Sequence, residues 1–133
     1  MTPAQRLVLD HLASAYPEAD GDALVQILSL WEVIPYEQDG ELVGAAMMNG
    51  SEFHCFTLPT FKLRRAKMRE FLAPLHARHG MLTTRVHHND VANQRFNAAF
   101  GFVKTWSDEQ FHYYVMAELP FGERKAPCQQ LHS

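Results

Sequence analysis

Two short pairs, Asp39-Gly40 and Asn49-Gly50, lie ten positions apart, each between runs rich in strand-forming residues. Such pairs tolerate the positive φ angles of a tight hairpin turn, so each joins antiparallel neighbours. The runs read "WEVIPYEQ", "ELVGAAMM" and "SEFHCFTL". Three strands joined by two short turns make an antiparallel meander. Pro35 lacks a backbone donor, so its strand is bent or lies near an edge.

The rest of the chain has to cover that meander. Thr2-Pro3 predicts a helix start, with Leu7, Val8, His11, Leu12 and Ala15 on one face and Tyr16-Pro17 as the stop. The stretch "EADGDALVQILSL" reads two ways, as a helix capped by Asp22 and running to Leu30, or as a strand. "FKLRRAKMREFLAPLHARHG" predicts a helix burying Phe61, Met68, Phe71, Leu72 and Leu75, kinked by Pro74 and ended by Gly80. "MLTTRVHH" reads as a strand, and Asp90 caps a helix over "VANQRFNAAF" that ends at Gly101. "FVKTWSDE" and "FHYYVMAEL" close the pattern as strands. One helix crossover lies between the strand groups, so the expected class is α/β (α+β), with a mixed, mostly antiparallel sheet flanked by helices. The expected organisation is a single domain over 1–120 and a polar tail over 121–133, "FGERKAPCQQLHS".

Composition limits function. The chain has 133 residues and a net charge of −3, so basic chemistry has to be local. Its only cysteines are Cys55 and Cys128, too few for a disulfide scaffold or a four-cysteine metal site, which fits a reducing compartment. Cys55 is expected to pack within a strand. No apolar run approaches the ~20 residues of a membrane span. The first residues carry acids early and lack a signal-peptide core.

The element order, with "DGELVGAA" at the hairpin and "DVANQRFNAAFGFVKTW" ending in Gly101-Phe102, resembles the GCN5-related N-acetyltransferase (GNAT) fold over roughly residues 22 to 119. That resemblance implies an acetyl-CoA pyrophosphate site at the start of the third helix, where glycines let the backbone approach phosphate. The matching stretch here is Lys62, Leu63, Arg64, Arg65, Ala66 and Lys67, with Leu63, Arg65 and Lys67 at the small-residue positions. No glycine occurs between Gly50 and Gly80. The resemblance also implies a proton-donating tyrosine five positions before Phe102. Asn97 stands there, and an amide is no acid near neutral pH. The basic, glycine-poor third helix and Arg95-Phe96 are similar to the short GNAT-like proteins of tailed phages, of the internal virion protein A type. That likeness implies a virion-associated or accessory role, in a virion or the host cytoplasm.

Other constellations carry less. His87-His88 with Asn97 and His112 superficially resembles an HNH nuclease, but strand neighbours point to opposite faces and cannot share a metal without a bulge. His76 and His79 lie three apart on a helix with no carboxylate or cysteine nearby in sequence, so no metal site is assigned. Glu32, Glu37 and Glu41 read as polar residues of an open sheet face. Glu52 and His54 lie two apart on one strand face and are the candidate general bases if the protein is an enzyme. The basic run reads as a solvated helix face, and Phe61 and Phe71 fit the core stripe, which disfavours nucleic-acid binding.

The sequence thus favours a GNAT-shaped protein without transferase activity or cofactor. It would dock other virion or host proteins, and could oligomerise, through the tail or the aromatic stretch Phe111 to Tyr114. The alternative is an acetyl-CoA-dependent N-acetyltransferase with an altered pyrophosphate loop.

Overall fold

The structure is a computed structural model and describes residues 1–119. Candidate features from Pro120 onward, including the tail contacts and Cys128, lie outside the described residues. The described chain forms four helices and six strands, in the order α1 (Pro3–Ala15), α2 (Gly21–Ser29), β1 (Glu32–Gln38), β2 (Glu41–Asn49), β3 (Glu52–Thr57), α3 (Arg65–His79), β4 (Leu82–His87), α4 (Val91–Ala99), β5 (Val103–Ser107) and β6 (Phe111–Met116). This is the expected mixed α/β class with mostly antiparallel pairing. The chain divides into two compact units, one from Met1 to Leu63 and one from Arg64 on.

The first unit is the meander with its two helices. β1 pairs with β2 and β2 with β3, both antiparallel. At the first turn Asp39 and Gly40 take φ values of 55° and 82°, the pattern of the primed turn that matches strand twist. The second turn differs from expectation. Asn49 still pairs with Glu52, so the loop residues are Gly50 and Ser51, and only Gly50 has positive φ. A glycine at the first central position suffices for the other hairpin turn type, so the asparagine belongs to the strand.

Thr2 caps α1 reciprocally: its hydroxyl accepts from the Gln5 amide at 3.1 Å, and the Gln5 side chain accepts from the Thr2 amide at 2.8 Å. The ambiguous stretch is a helix, and its N-cap is Asp20 rather than Asp22, which lies within the first turn. Leu24 and Leu28, four apart, are its buried residues. Ala4 and Val8 of α1 meet Leu28, Ala45 and Met47 in one buried cluster. β2 is buried continuously from Val43 to Met48, as expected of a central strand covered on both faces.

The second unit holds α3 against β4, and β6 between β4 and β5, with both pairings antiparallel. α3 starts at Arg65, later than expected. Phe61 therefore precedes the helix and meets Tyr36 edge-on at 5.8 Å between ring centres. Met68, Leu72 and Leu75 form the buried stripe of α3, and Pro74 lies inside the helix. Gly80 closes α3 at φ 76°, a left-handed conformation that favours glycine. In α4 the Asp90 carboxylate caps the Asn93 amide at 3.1 Å. β5 bulges at Thr105, whose hydroxyl donates to the Tyr113 carbonyl at 3.2 Å.

Candidate functional site

The two groups of candidate residues fall in different units. On the meander, Glu52 and His54 point to the same face of β3, and His54 Nε2 lies 2.7 Å from Glu52 Oε2. The indole of Trp31 meets the His54 ring edge-on at 5.6 Å. Both members of the pair are partly exposed, so the imidazole is held in orientation yet open to a reactant. A carboxylate that fixes an imidazole is an arrangement suited to accepting a proton. Glu32, Glu37 and Glu41 are exposed, with Glu37 and Glu41 near the first hairpin turn.

Cys55, next along β3, is a different kind of group. Burial pushes its thiol up to about 12, so it is inert as a nucleophile at neutral pH.

In the second unit, the start of α3 differs chemically from those of α1 and α4. Its N-cap is Arg64 and no side chain caps it, whereas Thr2 caps α1 and Asp90 caps α4. The first backbone bond inside the helix runs from the Met68 amide to the Arg64 carbonyl at 3.1 Å. The amides of Arg65, Ala66 and Lys67 precede it and carry the positive end of the helix dipole. Leu63, Arg64, Arg65 and Ala66 are exposed, as is Lys62 in the preceding segment. Bulk at Leu63 and Arg65 is therefore directed into solvent or onto neighbours. Arg65 lays its guanidinium 5.8 Å from the Phe100 ring centre, and Lys67 approaches Glu70 at 3.9 Å. An uncapped helix start ringed by cations fits a phosphate-bearing group without a glycine cradle.

Asn97 is buried on α4, at 4% exposure, and its Nδ2 has no hydrogen-bond partner. Sequence reasoning marked this position only for the missing acid. The unsatisfied donor is a tertiary property. His79 Nε2 is likewise buried without a partner, whereas His76 Nε2 donates to the Ala117 carbonyl at 3.2 Å. Among the described residues, no group of three or more His, Cys, Asp or Glu is placed to hold a metal. His87 packs edge-on to Phe111, whereas His88 faces His112 with 4.0 Å between ring centres.

The aromatic surface also differs from expectation. Tyr114 is buried, and the Phe111 ring is covered by Arg85 at 4.9 Å. Trp106 of β5 is exposed and stacks on Tyr113 at 4.3 Å and 5°.

No protein-family model and no curated protein matches the sequence. Solved structures do. The N-acetyltransferase PseH of Campylobacter jejuni matches with a TM-score of 0.61 and 15% identity, over 86% of this chain and 90% of that one. Its complex with acetyl coenzyme A matches at 0.59 and 15%, over 80% and 87%. A GNAT-family acetyltransferase of Listeria monocytogenes matches at 0.53 and 12%, over 84% of each chain. The chain has the GNAT fold. Within a GNAT fold, α3 is the helix whose start the sequence resemblance assigned to the pyrophosphate. No helix among the described residues is long and apolar enough to cross a membrane.

Proposed function

We propose that this protein binds an acyl-CoA and transfers its acyl group to an amine. The uncapped start of α3, with arginines at its N-cap and first position, carries this reading. Three backbone donors without a cap, beside Arg64 and Arg65, make an anion site of the kind a diphosphate fills. Side-chain cations take over the part that glycines play elsewhere in this fold, so the altered loop is compatible with binding. Bound acyl-CoA would supply the activated acyl group. The chain's own contribution is to hold the phosphates and, through His54 oriented by Glu52, to take a proton from the amine. With Asn97 in place of an acidic side chain, α4 supplies no proton at that position, so a leaving thiolate would be protonated by water.

Calorimetric titration with acetyl-CoA tests the reading. Binding in the micromolar to sub-millimolar range is expected, weakened about three- to tenfold by Arg65→Ala and by added salt. No binding at millimolar acetyl-CoA overturns it.

A second reading is a GNAT-shaped docking protein without catalysis. It is favoured by Asn97 at the acid position and by the exposed Trp106, a residue type enriched at protein interfaces. The virion-associated role belongs to this reading and rests on the sequence resemblance alone.

A further inference from the structure

The two faces of the β4–β6–β5 sheet differ in chemistry. Leu82, Thr84 and Val86 of β4 lie opposite Met116, Tyr114 and His112 of β6, and all of these except His112 are buried. The residues between them point to the other face, because strand side chains alternate. That face brings together Arg85 and His87 of β4, Phe111 and Tyr113 of β6, and Trp106 of β5. They are joined by the register pairs Arg85–Tyr113, His87–Phe111 and Trp106–Tyr113. Arg85, His87 and Trp106 are exposed, and Phe111 and Tyr113 are half-buried.

The rings form a continuous array. Trp106 lies flat on Tyr113, with 4.3 Å between ring centres at 5°, yet 57% of the tryptophan stays exposed. Tyr113 meets Phe111 at 6.2 Å. The Arg85 guanidinium stands 4.9 Å over the Phe111 ring centre, and the His87 ring lies 4.8 Å from it. Charge is divided unevenly along the chain as well. Residues 1–63 contain nine acids and two basic residues, whereas residues 64–119 contain eight basic residues and five acids. The unit that carries the aromatic face is therefore locally cationic in a chain of net charge −3. Asp108, the acid bonded to the Tyr113 hydroxyl, is already engaged by the Gln110 and Phe111 amides.

We propose that this open sheet face binds single-stranded nucleic acid, with bases stacked on Trp106 and Phe111 and backbone phosphate held by Arg85. Every base has a π face, so aromatic side chains beside a cation bind a strand without reading its sequence. The guanidinium serves either way, by pairing with phosphate or by stacking on a base. A local excess of cations complements a polyanion, whereas a protein partner would have no need of it. Paired bases in a duplex keep their faces inside their own stack, so the platform selects single strands.

The test is fluorescence anisotropy of a labelled oligothymidylate of about ten nucleotides, titrated with the full chain at low salt. A Kd of about 1–100 µM is expected, with a duplex of the same length bound several-fold more weakly. Trp106→Ala should weaken single-strand binding about five- to tenfold, and Trp106→Phe should keep most of the affinity because it keeps a stacking ring. Arg85→Gln should lower the slope of log affinity against log salt by about 0.7, the value for one phosphate contact on a single strand. Trp106 is exposed, so its replacement leaves the core intact. Absence of binding at about 0.1 mM protein overturns the proposal, as does equal affinity for the duplex. Binding that Arg65→Ala weakens and Trp106→Ala does not would put the strand on α3, which also overturns it. A concentration-dependent dimer that Trp106→Ala abolishes, with no oligonucleotide bound, would assign the face to a second copy of the chain instead.

Discussion

The imidazole of His54 and the carboxylate of Glu52 meet at 2.7 Å on one face of β3, two residues apart along the strand. A partly exposed pair of this kind contributes at most about 1 kcal/mol to stability. Its value would lie in orientation. Glu52→Gln should keep the ring near its place but remove the carboxylate that orients it. His54→Gln removes the base. If the pair accepts the amine proton, His54→Gln should lower kcat by about 10²- to 10⁴-fold and Glu52→Gln by less. CoA affinity should be unchanged in both, because the phosphate contacts belong to α3. Steady-state kinetics with an amine acceptor, paired with titration of CoA, separates the two effects. An undiminished kcat in His54→Gln would remove it from the mechanism.

The Cys55 thiol tells a contrary story a single residue away. Its pKa of about 12 leaves on the order of one molecule in 10,000 as thiolate at pH 8. In a Cys128→Ser background, the folded protein should react with a disulfide reagent at pH 8 far more slowly than a free cysteine, and urea should restore the rate. The sign for stability follows from the same shift. The unfolded thiol ionises near 9, whereas the folded one resists until about 12, so stability should fall as pH rises across that window. Cys55→Ala should flatten that alkaline decline.

Some of this was legible in the sequence because it depends on local geometry. Asp39-Gly40 marked a turn because few other pairs take two positive φ angles cheaply. Glu52 and His54 were paired because strand side chains alternate. The start of α3 was misplaced because Phe61 matches the apolar stripe of the helix, yet its ring is taken by Tyr36. The α2 stretch stayed ambiguous because Asp20 and Asp22 are equally good cap residues by type. The unpartnered amide of Asn97 and the stack of Trp106 on Tyr113 left no trace in sequence. Both depend on which side chains tertiary packing brings alongside.

Asp108 anchors the turn between β5 and β6. Its carboxylate accepts from the Phe111 amide at 2.7 Å, the Tyr113 hydroxyl at 2.7 Å and the Gln110 amide at 2.9 Å. These bonds, the Phe111 amide foremost, hold its pKa below the ordinary carboxylate value. Because the folded value is the lower one, the stabilisation is present above the unfolded pKa and lost as pH falls through the folded one. Trp106 reports on this turn through its stack with Tyr113. Its fluorescence should therefore change on acidification below the usual carboxylate range. Asp108→Asn should show the acid-like signal already at neutral pH. A pH-independent Trp106 signal that matches in both proteins would show that Asp108 does not hold the hairpin.

Gly44 lies within the β2 ladder, opposite Tyr36 on one side and Thr57 on the other. A Cβ placed there would fall 2.5 Å from the Phe56 carbonyl oxygen and 3.1 Å from Thr57 Cγ2. The closer obstacle is backbone of the neighbouring strand, so no rotamer change relieves it. Gly44→Ala should therefore destabilise by about 1–3 kcal/mol, the range for overpacking a filled site. Gly21 offers the opposite case for the same added methyl. It opens α2, with nothing within 4 Å of its Cβ position. There alanine restricts the unfolded chain and favours the helix, so Gly21→Ala should stabilise by up to about 1 kcal/mol. Urea denaturation of the two variants gives the comparison directly. Opposite signs support close approach of the β3 backbone as the reason for glycine at 44, and a neutral Gly44→Ala would mean that β3 can move away from β2 at that point.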